Sequence, residues 1–145
     1  MIKRFINGDS TLYVEYKLND FDTDTITIGV INRSEPITIT LLRDMYIDEL
    51  ITGAEKVIKD YKCDNTCANR QYTVQSNSTN NKLAFGILEK EGTPTYLIYI
   101  RNDTNSATYK FRDDIELDKF LSFMKLIQND EIHFITHLLF SELVE

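Results

Sequence analysis

The stretch that sets the fold class runs from Ile37 to Tyr61 and reads ITITLLRDMYIDELITGAEKVIKDY. In its first part the apolar residues Ile37, Ile39 and Leu41 alternate with threonine, which is typical of a half-buried β-strand. From Ile47 onward the apolar residues recur every three or four positions, which indicates one stripe of an amphipathic helix. The stretch therefore predicts a strand that runs directly into a helix, and this order is typical of an α+β fold.

The same order occurs twice along the chain. Further alternating segments predict strands, at residues 2–6, 12–18, 26–30, 71–75, 83–88, 95–101 and 107–111. A second apolar stripe, from Leu117 to Ile127, predicts a second helix. Asp44 is the predicted N-cap of the first helix, and Asp113 followed by Glu116 has the form of a capping box at the start of the second. We therefore predict antiparallel sheets from two tandem ββββα-like units.

The predicted organisation is a single domain over residues 1–145, with pseudo-repeats at 1–62 and 70–128. Each sheet is expected to be covered on one face by the helix of its own unit. An apolar helix over residues 131–144 follows the second repeat. Because a helix that is apolar nearly all round is buried, we expect it to pack on the rest of the fold, with a homodimer contact as the alternative.

Composition narrows the class of protein. The chain has 145 residues, of which 42% are hydrophobic and 27% charged, and a net charge of −7 with a sequence pI near 4.8. These values are typical of one soluble globular domain. The absence of a long apolar run and of a leader-like N-terminus, together with only two cysteines, leads us to expect a cytoplasmic protein in a reducing compartment.

The repeated order of four strands and a helix is similar to that of the single-stranded nucleic-acid-binding folds of the Pur and Whirly type. The resemblance is one of arrangement, and none of the sequence motifs of those families is found here. It therefore implies a fold and carries over no site residues.

No motif of a familiar enzyme class is present, so we expect a non-catalytic protein with no catalytic residues and no cofactor. Four residues have the types and local spacings of a zinc site, namely Cys63 and Cys67 in a loop and His133 and His137 one helical turn apart. The gap between the two pairs is long for a compact zinc motif. The alternative interpretation is that the two cysteines are free thiols or form a local disulfide, and that the two histidines are unrelated to them. We predict no metal.

The leading functional hypothesis is an acidic module that binds and inhibits another protein, as immunity, anti-defence or regulatory proteins of phages and mobile elements do. An anionic surface speeds encounter with a protein that carries a basic surface. The residues predicted to meet such a partner lie in acidic connections: Asp20, Asp22, Asp24, Glu89 and Glu91.

The alternative hypothesis is a single-stranded nucleic-acid-binding protein. Alternation along residues 95–101 places Tyr99 and Arg101 on the side of the strand opposite to its apolar residues, and Lys110 has the same relation to Tyr109 in the next strand. An exposed tyrosine with neighbouring cations can stack a base and hold phosphates. A strand that is covered on both faces, with its cations extending to solvent at the strand ends, would give the same pattern.

Overall fold

The computed structural model describes residues 2–17, 24–33, 35–63, 71–75, 81–103 and 105–129. The order of elements is β1 (Ile2–Asn7), β2 (Ser10–Lys17), β3 (Thr25–Ile31), β4 (Ile37–Leu42), α1 (Arg43–Cys63), β5 (Gln71–Gln75), β6 (Lys82–Lys90), β7 (Thr93–Asn102), β8 (Asn105–Lys110) and α2 (Asp114–Gln128). This order confirms the predicted α+β class built from two ββββα-like units. The predicted helix over residues 131–144 lies outside the described residues.

Each unit contributes one antiparallel four-stranded sheet, the first in the order β1-β2-β3-β4 and the second in the order β5-β6-β7-β8. Neighbouring strands in each sheet are consecutive in the chain. Between β6 and β7 the turn consists of Glu91 and Gly92, and both have positive φ angles, 55° and 79°. Positive φ at both positions is characteristic of the two-residue hairpin turn whose twist matches that of the strands it joins.

Alternation gives each sheet a buried and an outward face. In the first sheet the buried residues come from all four strands: Phe5, Leu12, Val14, Tyr16, Ile26, Ile28, Val30, Ile39 and Leu41. In the second sheet the corresponding buried residues are Val74, Leu83, Phe85, Ile87, Tyr96, Ile98, Ile100, Ala107 and Tyr109. These side chains and those of the two helices form one continuous hydrophobic cluster. The two units therefore share a core.

The sequence led us to expect that each helix covers the sheet of its own unit. The structure shows a different arrangement. The most extensive strand contacts of α1 are with β5 and β6, which belong to the second unit. Gly53, buried in α1, lies directly against the ring of Tyr72 in β5. In α2, Phe120 packs edge-on against Phe5 of β1, with ring centroids 5.8 Å apart. The expectation was wrong for α1, because pairing the two sheets through one core places this helix on the partner sheet.

The two helix starts differ in how they are capped. α1 begins at Arg43, so Asp44 lies in the first turn and pairs with the Arg43 guanidinium at 2.9 Å instead of serving as the predicted N-cap. In α2 the cap is as predicted: Asp113 accepts a hydrogen bond from the backbone N–H of Glu116 at 2.8 Å. A carboxylate at this position also interacts favourably with the positive end of the helix dipole.

Glu116 is the only buried charged residue among those described, with 2% of its surface exposed. Its carboxylate accepts hydrogen bonds from the hydroxyl of Tyr109 at 2.6 Å and from the Arg112 Nε at 2.6 Å. The backbone N–H of Arg112 donates to the same carboxylate at 3.1 Å. Burial and the hydrogen bond to Glu116 raise the pKa of Tyr109. This network joins the end of the second sheet to the start of α2.

Candidate functional site

The outward face of the second sheet brings together the three residues of the nucleic-acid hypothesis. The register pairs Tyr99 with Thr108 and Leu97 with Lys110 across β7 and β8, and Arg101 lies two residues after Tyr99 on the same face. Because side chains two residues apart in a strand point to the same side, Tyr99, Arg101 and Lys110 share one surface. The predicted placement on one face therefore agrees with the register.

This surface has a shallow depression of about 480 Å³ around Tyr99. The tyrosine stands opposite Ala84 on β6, and its neighbour Leu97 stands opposite Gly86. Ala84 is 2% exposed and Gly86 is buried, although both line the depression. The lining residues are Gln71, Lys82, Ala84, Gly86, Leu88, Leu97, Tyr99, Thr108 and Lys110.

Four cations and no carboxylate occur among the described strand residues of this face. The cations are Lys82, Lys90, Arg101 and Lys110. We call this surface the basic sheet face and define it by these four cations and Tyr99. Carboxylates flank it in turns, at Glu91, Asp103 and, beside Lys110, Asp9. In a chain of net charge −7, this segregation creates a local field of the opposite sign, and a surface of one sign concentrates its counter-ions.

Two of the cations face each other directly. Lys82 of β6 and Arg101 of β7 are paired in the register, and neither forms an ion pair with any described residue. Like charges directly opposite each other destabilise a sheet. A bound anion would relieve this repulsion. Lys82 was missed from sequence because the predicted strand began one residue too late, at Leu83.

The outward face of the first sheet also carries a tyrosine, but in a different setting. A Cβ built on Gly29 would lie 2.6 Å from the hydroxyl oxygen of Tyr13 and closer still to its ring, so this ring lies flat across the glycine. Burial, and secondarily the charge of Glu15, raise the pKa of Tyr13. One side of the Tyr13 ring is therefore occupied by its own sheet, which makes Tyr13 a suitable reference for Tyr99.

Among the described acidic residues predicted to bind a basic partner, Asp24 and Glu89 lie near opposite ends of α1. Asp24 is only 16% exposed at its side chain. It accepts a hydrogen bond from the Tyr16 hydroxyl at 2.8 Å, and its carboxylate lies 3.9 Å from the guanidinium of Arg43. These contacts tie it to the start of α1. Asp20 and Asp22 lie outside the described residues.

Glu89 and Glu91 lie at the other end of α1. Glu89 belongs to the side of β6 that faces the helix, where it accepts a hydrogen bond from the Tyr61 hydroxyl at 2.5 Å. Tyr61 follows Arg43 by 18 residues in α1, which corresponds to about 27 Å at 1.5 Å per residue. Glu91 lies in the turn that follows. The acidic docking hypothesis thus stays a prediction.

The zinc hypothesis also stays a prediction. Cys63 is an exposed free cysteine at the end of α1, whereas Cys67, His133 and His137 lie outside the described residues. Within the ranges that the structure does describe, no three His, Cys, Asp or Glu side chains are grouped to hold a metal ion.

Neither of the two described helices is long and apolar enough to span a bilayer. No protein-family model matches the sequence, and no curated protein is detectably similar to it.

Proposed function

We propose that the protein binds single-stranded nucleic acid on the basic sheet face and catalyses no reaction. The observation that carries this proposal is the directly opposed pair of Lys82 and Arg101 beside the half-buried Tyr99, on a face whose described strand residues include no carboxylate. Cations hold backbone phosphates, and an aromatic ring stacks a base of any sequence.

The surface favours a single strand over a duplex. Tyr99 lies in the middle of a sheet, half-buried at the floor of a shallow depression. A base reaches such a ring only when it is unstacked from its neighbours, which is the usual mode for single strands. The acidic remainder of the chain opposes a second phosphate backbone outside the basic sheet face.

The first experiment measures binding of a labelled, mixed-sequence single strand by fluorescence anisotropy over a range of salt concentrations. Three to four phosphate contacts predict a slope of log K against log salt between about −2 and −3. Tyr99→Ala should weaken binding by about 5- to 150-fold, the loss of one stacked base. Its matched control is Tyr13→Ala, which removes a tyrosine from the outward face of the other sheet and should leave affinity unchanged.

The charge pair gives a second, independent readout. Lys82→Ala should lower the magnitude of the salt slope by about 0.7. Because it also removes a like-charge pair, it should raise the free energy of unfolding of the ligand-free protein by a few tenths of a kcal/mol, on the order of the smaller cross-strand pair energies. Lys59→Ala, on the exposed side of α1, is the matched charge control.

Two results would contradict the proposal. The first is no binding of single strands at low salt. The second is binding that Tyr99→Ala and Lys82→Ala leave unchanged. If single strands fail to bind and a purified basic protein is retained instead, with association slowed by charge reversal at Asp22 and Glu91, the acidic docking hypothesis would replace this one.

A further inference from the structure

A second depression adjoins the basic sheet face at the edge strand β8. It measures about 400 Å³ and lies where the turn between β1 and β2 and the residues after β3 meet β8. Its lining residues are Asn7, Asp9, Ser10, Asn32, Arg33, Thr108 and Lys110. We call it the polar notch. Thr108 and Lys110 line both depressions, so the two are neighbours across a single strand.

Hydrogen bonds within the polar notch hold its walls together. The side-chain amide of Asn7 donates to the backbone carbonyl of Lys110 at 2.8 Å, which joins the first sheet to the edge of the second. The Ser10 hydroxyl donates to Oδ1 of Asn32 at 2.7 Å. Because Oδ1 of Asn32 accepts this bond, its amide N–H groups remain as donors. With Arg33 and Lys110, the notch has two cationic side chains and one amide that can donate to an anion.

We propose that a nucleic-acid strand bound on the basic sheet face continues over β8 into the polar notch, where Arg33 and Lys110 hold a backbone phosphate. This inference rests on the proposed function and adds a second subsite to it. Arginine suits this role because its guanidinium donates several N–H groups to phosphate oxygens. The carboxylate of Asp9, which also lines the notch, opposes the phosphate and sets the affinity lower than the cations alone would.

The geometry makes the contribution of the notch depend on strand length. Tyr99 lies on β7, and the notch lies beyond β8, at two strand spacings or about 10 Å from Tyr99. A nucleotide stacked on Tyr99 therefore needs a neighbour along the strand to reach Arg33. Arg33 should therefore contribute nothing to the affinity for the shortest oligonucleotides that bind, and it should increase the affinity for longer ones.

The test is an anisotropy titration with a series of oligonucleotides from about two to 12 nucleotides long, which begins below the roughly 4–16 nucleotides of known single-strand sites. Arg33→Gln should weaken binding of the long members by about fivefold at 0.1 M salt, as expected for one lost phosphate contact, and should leave the shortest binding members unchanged. Asp9→Asn should strengthen binding of the same long members by up to about fivefold. Arg33 is exposed and Asp9 lies in a turn, so both variants are expected to fold.

The outcomes separate this inference from the proposed function. The length-dependent loss, with Lys59→Gln unchanged as the charge control, supports the notch as a subsite. An equal loss at every length that Lys59→Gln also shows would indicate a general charge effect and would overturn the inference. The inference would also be overturned if binding depends on Tyr99 but is unchanged by Arg33→Gln and Asp9→Asn at all lengths. In that case the proposed function would stand. No binding by the unaltered protein would refute the proposed function itself.

Discussion

Gly53→Ala tests the contact by which α1 covers the sheet of the second unit. In the middle of a helix, alanine is favoured over glycine by about 1 kcal/mol. At this position, however, the added Cβ would lie 2.6 Å from Cε1 of Tyr72 and closer still to Cγ and Cδ1. The Tyr72 hydroxyl donates to Glu49 at 2.8 Å, one turn away on α1, so the ring is held in place against the helix.

Overpacking of this kind costs about 1–3 kcal/mol, which outweighs the gain in helix propensity. We expect Gly53→Ala to lower the free energy of unfolding by about 1 kcal/mol. In a Tyr72→Ala background the obstructing ring is gone, so the same substitution should raise the free energy of unfolding by about 1 kcal/mol. The predicted coupling between the two positions is therefore about 2 kcal/mol, and its sign reversal is the diagnostic result.

The assay is urea unfolding of the four proteins of this double-mutant cycle, followed by circular dichroism. If Gly53→Ala has the same effect with and without Tyr72, the two residues are not in contact. The placement of α1 against β5 would then be wrong. A stabilising effect in both backgrounds would show that helix propensity alone decides the outcome.

Three further outcomes are expected. Glu116→Gln should lower the free energy of unfolding by about 2–4 kcal/mol, because it weakens charge-assisted hydrogen bonds at a buried site. Arg112→Ala should cost clearly less, since the arginine side chain is 57% exposed. Equal losses in urea unfolding would contradict this. Tyr109→Phe should destabilise the protein by about 1–2 kcal/mol below pH 10. Because the pKa of Tyr109 is raised in the folded protein, this tyrosine ionises first in the unfolded chain, and the stability of the unaltered protein falls above pH 10. The difference in free energy of unfolding between the unaltered protein and Tyr109→Phe should therefore shrink there by up to about 1.4 kcal/mol per pH unit. A difference that stays constant up to pH 11.5 would contradict the assigned network. Tyr99→Phe should bind single strands as the unaltered protein does, because the ring that stacks is retained; an anisotropy loss as large as that of Tyr99→Ala would mean that the hydroxyl makes the contact.

The strands and helices were predictable because their periods are local properties of the chain. Alternation at Ile37, Ile39 and Leu41 and the stripe from Ile47 to Tyr61 indicate which residues are buried, whatever covers them. The sheet that α1 covers was not predictable from these patterns. That choice depends on contacts between residues far apart in sequence, such as Gly53 and Tyr72, which no local pattern reveals.

The basic sheet face was partly predictable for the same reason. Alternation places Tyr99, Arg101 and Lys110 on one surface once the strands pair in register. To place Lys82 on this face, the start of β6 had to be predicted correctly. To place Arg33 beside Lys110, the packing of the first sheet against the edge of the second had to be known.

The acidic hypothesis had less support in local patterns. Glu89 has the same parity in β6 as the apolar residues Phe85 and Ile87, which places it on the side that faces α1. The predicted strand ended at Leu88, so this parity follows only from the observed end of β6 at Lys90. Asp24 shows no comparable signal, since its bond from Tyr16 and its closeness to Arg43 arise only in the folded chain.

The position of α1 against β5 and β6 has a consequence for synthesis on the ribosome. When Cys63 emerges from the ribosomal exit tunnel, the apolar stripe of α1 still lacks β5 and β6, the strands that it contacts most. A further 27 residues, to the end of β6 at Lys90, must be translated, which takes about 1–5 s at 5–20 residues per second. During that interval the nascent chain carries an uncovered apolar helix, so chaperone capture and aggregation compete with folding until the second half arrives.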